Sequence, residues 1–557
     1  MKKIICFTVA FCALLAQMAL PVAAQEITKP ISVYEDTTIE LDNAVYRDNY
    51  PAIAVYNDAK LTLVLKGKSV IERKSNQEDG LYSAIFLNDS SQIEIVDDPN
   101  DQEIGSLELK NWDFGICAGS NGNGSSIYVD GVRLIIDSTM GGICDMNGDM
   151  EEISIRNADV SVKNTEYVGI GSYFGGYLKN LSIDHSNIDV DSNHVGIGSD
   201  QASAGNVSIN NSKLNVNSKL VGIGGRDAKI SKTTISNSIG SVMVADDSDM
   251  PFVGIGMTTG VAESLSGIGF IRVYTMNELT LKNNFLYVDS PVTCIGAARK
   301  VIENGEKGTS IKNLNIDGGI MFMRNSQENG VCIGAKDLNI ENINIHNAKL
   351  TAMAKDAVIG CVEEEPNQVS KPTAINIDGQ SVVIALGNRT FVPERNTLQV
   401  ADTAALISDV TPLDESQIND AMMDFENALN TMGKPGSDFS GTIENLEELI
   451  GDGTHADLEL LLGFIKDNTP IIPETPDEPD QKPDDPAKPE INPDDSAKPE
   501  NKPSVPTKPD KTPNDSVNVE GTDLPNTGDQ SNLLLLVTGM AISLAAVVVL
   551  SKKKKFD

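Results

Sequence analysis

The sequence predicts an all-β chain wound as a right-handed parallel β-helix solenoid of about eleven coils, followed by a small α-helical cap and a disordered Pro-rich stalk. Three observations carry that expectation. A four-residue word of two apolar residues and two glycines recurs through most of the chain. An alternating ten-residue phrase recurs in step with it. Both then give way to a helical pattern and a proline-rich tail.

The word appears twice in VGIGSYFGGYLKNLSIDHSNIDVDSNHVGIGSD, at residues 168–171 and 195–198. Aligned on the central isoleucine, its copies place Ile53, Ile85, Ile116, Ile143, Ile170, Ile197, Ile223, Ile255, Ile295, Ile333 and Ile359 in one column. The gaps run from 26 to 40 residues, inside the range of roughly 20 to 50 that marks a repeat architecture. The phrase starts at Ile153, Leu181, Val207, Leu279, Leu314, Ile343 and Ile375, with a looser copy at Thr233. It reads apolar-polar-apolar, then turn residues, then a second short apolar run. Period-two alternation in short runs argues for strands. A bundle of hairpins shares that alternation but does not explain a third short strand in every unit.

The turn column holds Asn157, His185, Asn211, Asn237, Asn283, Gly318, Asn347 and Gly379. Asn and Gly tolerate left-handed backbone angles, and stacked Asn side chains can bond along a column. Coils stacked at about 4.8 Å make eleven of them a rod of roughly 50 Å. In the word, Val168 and Ile170 are expected to share an inward face. Gly169 and Gly171 then fall on the outer face and leave a strip almost free of side chains. Glycine in a strand often marks the close approach of something else. The strip is either covered by the loops at 258–274 and 297–310, or bent tightly, or open as a shallow groove for an extended polymer such as a glycan.

Tyr173, Phe174 and Tyr177 lie in the loop beside the strip, where aromatic faces can stack on sugar rings or cover a core. Arg226 and Arg299 follow copies of the word and set cations near it. Asp184, Asp189 and Asp191, with Asp246, Asp247 and Asp249, are candidate oxygen ligands for calcium, although no calcium-loop motif is present. The four histidines are scattered, and neither a Ser-His-Asp arrangement nor zinc spacing emerges. The cysteines beyond the leader (Cys117, Cys144, Cys294, Cys332 and Cys361) are odd in number and irregular in spacing, which does not describe a disulfide framework.

After the last repeat, Ile418, Met422, Phe425, Leu429 and Met432 share one helical face, and Gly433 with Pro435 ends the run. The module at 401–468 is expected to cap or space the solenoid at 25–400, with a partner-binding bundle as the alternative. Residues 469–523 are rich in Pro, Asp, Glu and Lys, cannot bury a core, and form an extended linker.

Residues 1–24 read as a secretory signal: Lys2 and Lys3, an apolar run, and cleavage expected after Ala24. At the other end, Leu524, Pro525, Asn526, Thr527 and Gly528 spell LPNTG, followed by an apolar segment at 533–550 and SKKKKFD. This tail at 524–557 resembles the sorting signal of Gram-positive cell-wall proteins. The resemblance implies that a sortase cuts between Thr527 and Gly528 and joins Thr527 to peptidoglycan, the apolar segment being a transient membrane helix. The repeats resemble the pectate-lyase-like β-helix proteins and, more closely, Gram-positive surface proteins with GIG-type repeats described as carbohydrate-binding.

That resemblance implies an adhesin or glycan-binding module facing a glycan or host surface ligand. A β-helix polysaccharide lyase or hydrolase and a passive spacer are the alternatives. The ordered NTD, DD and GHG set of the pectin hydrolases is absent. A formal net charge of −36, from 80 acidic and 44 basic residues, argues against nucleic acid as a partner.

Overall fold

The computed structural model describes residues 26–74, 81–119, 122–245, 252–259, 274–299, 309–362, 372–408, 415–431 and 463. The leader, the stalk, the sorting signal and the apolar segment at 533–550 lie outside the described residues, as do Asp246, Asp247 and Asp249.

Each coil contributes one strand to each of three walls. Wall 1 is a 13-stranded sheet running from Thr37–Asp42 to Asn396–Val400. Wall 2 runs from Glu26–Ile27 to Ala405–Ile407, and wall 3, which carries the word, from Ile31–Val33 to Ala357–Val362. Strands Ser106–Ala118 and Arg133–Met146 turn the corner between walls 2 and 3 with register shifts around Trp112, joining the two walls into one 24-stranded sheet. The pairing is parallel because each wall is visited in the same direction once per turn.

The isoleucine column is reproduced rung by rung, from Ile53↔Ile85 through Ile170↔Ile197 to Ile333↔Ile359. Ile31↔Ile53 adds one coil ahead of it. The phrase column holds as well: Ile153, Leu181, Val207, Thr233, Leu279, Leu314, Ile343 and Ile375 follow one another in register. These side chains and those of wall 2 fill one continuous aliphatic core along the rod.

The turn residues take left-handed angles as expected, from φ 44° at Asn211 to 72° at Gly318. Their side chains rarely stack on one another; Asn211 meets His185 at 3.3 Å. The continuous ladder is built one residue later, by buried serines. The Ser212 hydroxyl accepts from the Ser186 N–H at 3.2 Å and donates to the Asn210 carbonyl at 2.7 Å, and Ser238 repeats this one coil on. Each such serine satisfies a corner amide that a parallel ladder leaves unpaired. Amide stacks do occur on the outer face of wall 1, where Asn315, Asn344 and Asn376 are linked at 2.9 Å.

Among the described residues one helix, α1 (Glu415–Thr431), follows the solenoid. Phe425 is buried edge-to-face on Phe285 at 4.9 Å, and Arg324 donates to Asn419 at 2.6 Å. Those partners sit on strands Phe285–Ser290 and Ile320–Asn325, so α1 caps the flank of wall 2 and does not close the last rung. The reason is local: wall 2 turns Phe285 and Phe322 outward there, and an amphipathic helix is the simplest cover for them.

Candidate functional site

The word VGIG is a folding device, and its two apolar positions do not share a face. Ile170 packs in the main core, whereas Val168 joins a second apolar cluster with Val195, Val221, Val253 and Phe252. The first glycine fills an inner corner. A Cβ on Gly169, Gly196, Gly222 or Gly254 would run into Val190, Val216, Val242 or Val288 of wall 2. The second glycine is a kink, with φ 145° at Gly171, 136° at Gly198 and 137° at Gly224. Its Cβ would overlap the carbonyl oxygen of the next glycine along the rod. The expected side-chain-free strip is therefore a buried seam: the glycines of both columns are buried between stacked backbones.

The kink folds each wall 3 strand into an arch. Residues six apart on an extended strand would be separated by roughly 20 Å. Here the Tyr167 and Tyr173 rings stack at 4.4 Å, and His194 Nδ1 lies 3.0 Å from Asp200 Oδ2. The valine column is the floor of the arch. The residues three before and three after each column isoleucine line its mouth.

Tyrosine gathers at those two positions. Tyr50, Tyr82 and Tyr167 occupy the first, and Tyr34, Tyr56 and Tyr173 the second, so six of the chain's 11 tyrosines flank one wall of three. At the N-terminal end Tyr34 stacks on Tyr56 at 5.2 Å, Tyr56 meets Phe86 at 6.5 Å, and Tyr50 meets Tyr82 at 6.4 Å. Tyr34 and Tyr50 are 60% and 61% exposed. The Arg73 guanidinium lies 5.0 Å from the Tyr82 ring centre and 2.8 Å from Asp113, which keeps that ring in place. Three coils beyond Tyr82, Tyr167 and Tyr173 are joined by Phe174, 5.8 Å from Tyr173.

Next to the central tyrosines the mouth becomes polar. Asp200 is fully buried and shared between His194 and Arg226, whose Nε donates to Asp200 Oδ1. Glu166 stands 3.8 Å from His194 and accepts from Asn193 at 2.5 Å. Burial and the neighbouring Tyr167 push the Tyr173 hydroxyl well above its ordinary range, so Tyr173 stays neutral.

Of the residues singled out in the sequence, Tyr173 and Phe174 are brought together at the mouth. Tyr177 is exposed but opens the wall 1 strand Tyr177–Asp184 and faces elsewhere. Arg226 is buried and committed to Asp200, because its position three residues after Ile223 points it into the arch; it is not a surface cation. Arg299 ends strand Thr293–Arg299, four coils beyond Tyr173, and does not join the aromatic group. Asp184 on wall 1 holds His185 and Asn210, while Asp189 on wall 2 holds Lys163 and Asn215. With Asp191 also on wall 2, the described aspartates do not converge on one cation, since a coil corner separates them. Among the described residues no group of three His, Cys, Asp or Glu is gathered for a metal ion. The tyrosines at 34, 50, 56, 82 and 167 join the mouth without being among the residues the sequence singles out. Their constant offset of three from the isoleucine column was the available signal.

Asp145 lies under the Tyr173 turn, fully buried, with its Oδ1 accepting from the Tyr173 N–H at 3.3 Å. Burial raises its carboxyl to about 7. The carboxyl therefore stays protonated in the folded chain while it ionises near 3.9 in the unfolded one. Folding takes up a proton between those values, so stability present at low pH is lost as pH rises through about 7. Asp145→Asn is expected to stabilise the protein by about 2–4 kcal/mol at pH 8 and to flatten the pH 4–7 slope. Urea titrations of both proteins across pH 4–8 read this directly. Equal slopes would refute the assignment.

Residues 516–555 match the family model of the LPXTG cell wall anchor motif. Comparison with curated proteins and with solved structures gives no match. The anchor supplies the one identification the chain supports: it is a secreted surface protein, processed by sortase at LPNTG and joined covalently to the peptidoglycan of a Gram-positive cell wall.

Proposed function

We propose that this wall-anchored solenoid is an adhesin that holds an extended, uncharged glycan along the mouth of wall 3, by binding and not by bond cleavage. The observation behind the reading is the concentration of tyrosine at that mouth, in one group at coils 1–3 and a second at coil 6. Sugar rings present C–H faces that pack on aromatic faces, and a coil rise of about 4.8 Å is comparable with one pyranose ring. From Tyr56 to Tyr173 the groups lie four coils apart, roughly 19 Å. A polymer can engage both, and a short oligosaccharide only one, so affinity should rise steeply with chain length. The net charge of −36 disfavours polyanionic ligands.

Two observations support binding over catalysis. Asp200 is buried and already shared by two partners, and the neighbouring Glu166 is bridged to it through His194. Glycoside hydrolysis needs two carboxyl groups facing the scissile bond from either side.

The test is a polysaccharide array probed with protein released from the wall, with and without chelator, and assayed for new reducing or unsaturated ends. Retention of a neutral polymer without product and without chelator sensitivity is expected. Tyr50→Ala and Tyr167→Ala should each weaken it about tenfold. Product release would make the protein an enzyme, and unchanged binding in both variants would remove wall 3 from the account.

A further inference from the structure

Cys117 and Cys144 are 27 residues apart in sequence and directly opposed in space. They occupy the second-glycine column of wall 3, in the register Cys117↔Cys144↔Gly171. Both are buried, and their Sγ atoms lie 3.8 Å apart. In-register parallel neighbours have Cα atoms about 4.8 Å apart, inside the window of roughly 4.4–6.8 Å that a disulfide spans. The Cβ atoms of such neighbours start near the same spacing, against the roughly 3.5–4.5 Å a disulfide takes, so side-chain rotation with a local approach of the two strands by about 1 Å or less closes the gap. The irregular spacing that hid the pair in the sequence is one turn of the solenoid.

We infer that Cys117 and Cys144 are joined in the exported protein by a rung-to-rung disulfide that fastens coil 4 to coil 5. The chain carries an anchor that places it outside the cell, where thiols meet oxidants. The two thiols lose two protons and two electrons as the S–S bond forms. The electrons pass to the disulfide of an extracytoplasmic thiol oxidoreductase or of a small-molecule disulfide, whose own S–S bond breaks to two thiols. The exchange belongs to folding, before coil 5 closes over coil 4. In the finished coil, the hydrogen bond with the Cys117 thiol and burial push the Cys144 thiol well above its ordinary range, and a protonated buried thiol is inert.

The remaining cysteines also have hydrogen-bond partners, as the Cys117 thiol has in the Ala118 carbonyl at 3.3 Å. Cys294 and Cys332 also sit on neighbouring strands, where burial and the Cys332 thiol raise the Cys294 thiol, and each donates to a carbonyl of its own, Arg324 at 3.0 Å and Met353 at 3.2 Å. Cys361 meets the Thr373 hydroxyl at 3.0 Å. These three are expected to stay as thiols, which accounts for the odd total. The cross-link lies between the two tyrosine groups, at coils 4 and 5, and so holds their separation.

The test uses the full protein released from the wall by a peptidoglycan hydrolase without reductant, denatured in N-ethylmaleimide and digested under non-reducing conditions. The peptide containing Cys117 should appear linked to that containing Cys144, lighter by two hydrogens, with maleimide on Cys294, Cys332 and Cys361. Maleimide on both Cys117 and Cys144, or a link to any other cysteine, would overturn the inference. Cys117→Ser should also speed proteolysis at coils 4 and 5 on the order of a hundredfold, the effect of losing a loop constraint of this size. An unchanged rate would count against a cross-link. If that variant does not fold, the peptide map of the unaltered protein still decides the matter.

Discussion

Gly198→Ala is expected to destabilise the solenoid by about 3–5 kcal/mol, a very large cost for one methyl group. Two effects add. A φ of 136° lies in a region essentially reserved for glycine, where another residue costs on the order of 1–3 kcal/mol. The new Cβ also meets the Gly224 carbonyl, which is backbone and is held by the rung beyond it. Relief requires the two coils to separate, and separation breaks the interface on which a stacked array depends. Gly131→Ala is the control: φ is 72°, but the nearest atom to a Cβ lies 3.8 Å away. There only the conformational term of about 1 kcal/mol applies. Urea unfolding followed by circular dichroism separates the two, and equal losses would show that the kink is not what limits stacking.

Breaking the buried pair at the mouth should cost nearly as much. Arg226→Met leaves Asp200 fully buried with only His194 beside it, and loss of one partner from a buried pair costs about 3–5 kcal/mol. Asp200→Asn keeps the shape and strands the guanidinium instead, with a similar loss. The double variant should be less destabilised than the two losses summed, because no uncompensated charge remains. Additive losses in that cycle would mean the pair is not coupled. Glycan binding at the tyrosines serves as a second readout, since Asp200 sits one coil beyond Tyr173 and Arg226 two.

Much of this fold was legible from periodicity alone. Every isoleucine aligned in sequence is paired in space with the one aligned to it, because a coil length can vary only in its loops while the inward aliphatic ladder must stay in register. The turn column was readable for a similar reason: few residue types accept a φ near 48°. Strict alternation across the word predicts an open glycine strip, and the structure departs from it at the second glycine. A mirror-image φ at Gly171 breaks that alternation, and no residue type announces on which side a kinked strand resumes. The same kink brought His194 onto Asp200 and hid Arg226. The partners of the described aspartates were not readable, because Lys163 and Asn215, which hold Asp189, lie a full coil away in sequence.

The most direct test of the central claim is to locate a bound glycan by hydrogen exchange. Protein released from the wall would be compared with and without a neutral polysaccharide retained on the array. Slower exchange is expected in the segments that carry the mouth of wall 3, residues 49–57, 81–88 and 166–175, with little change along wall 1. Protection confined to wall 1, or to α1 on the flank of wall 2, would contradict the account and move the binding surface off the tyrosines.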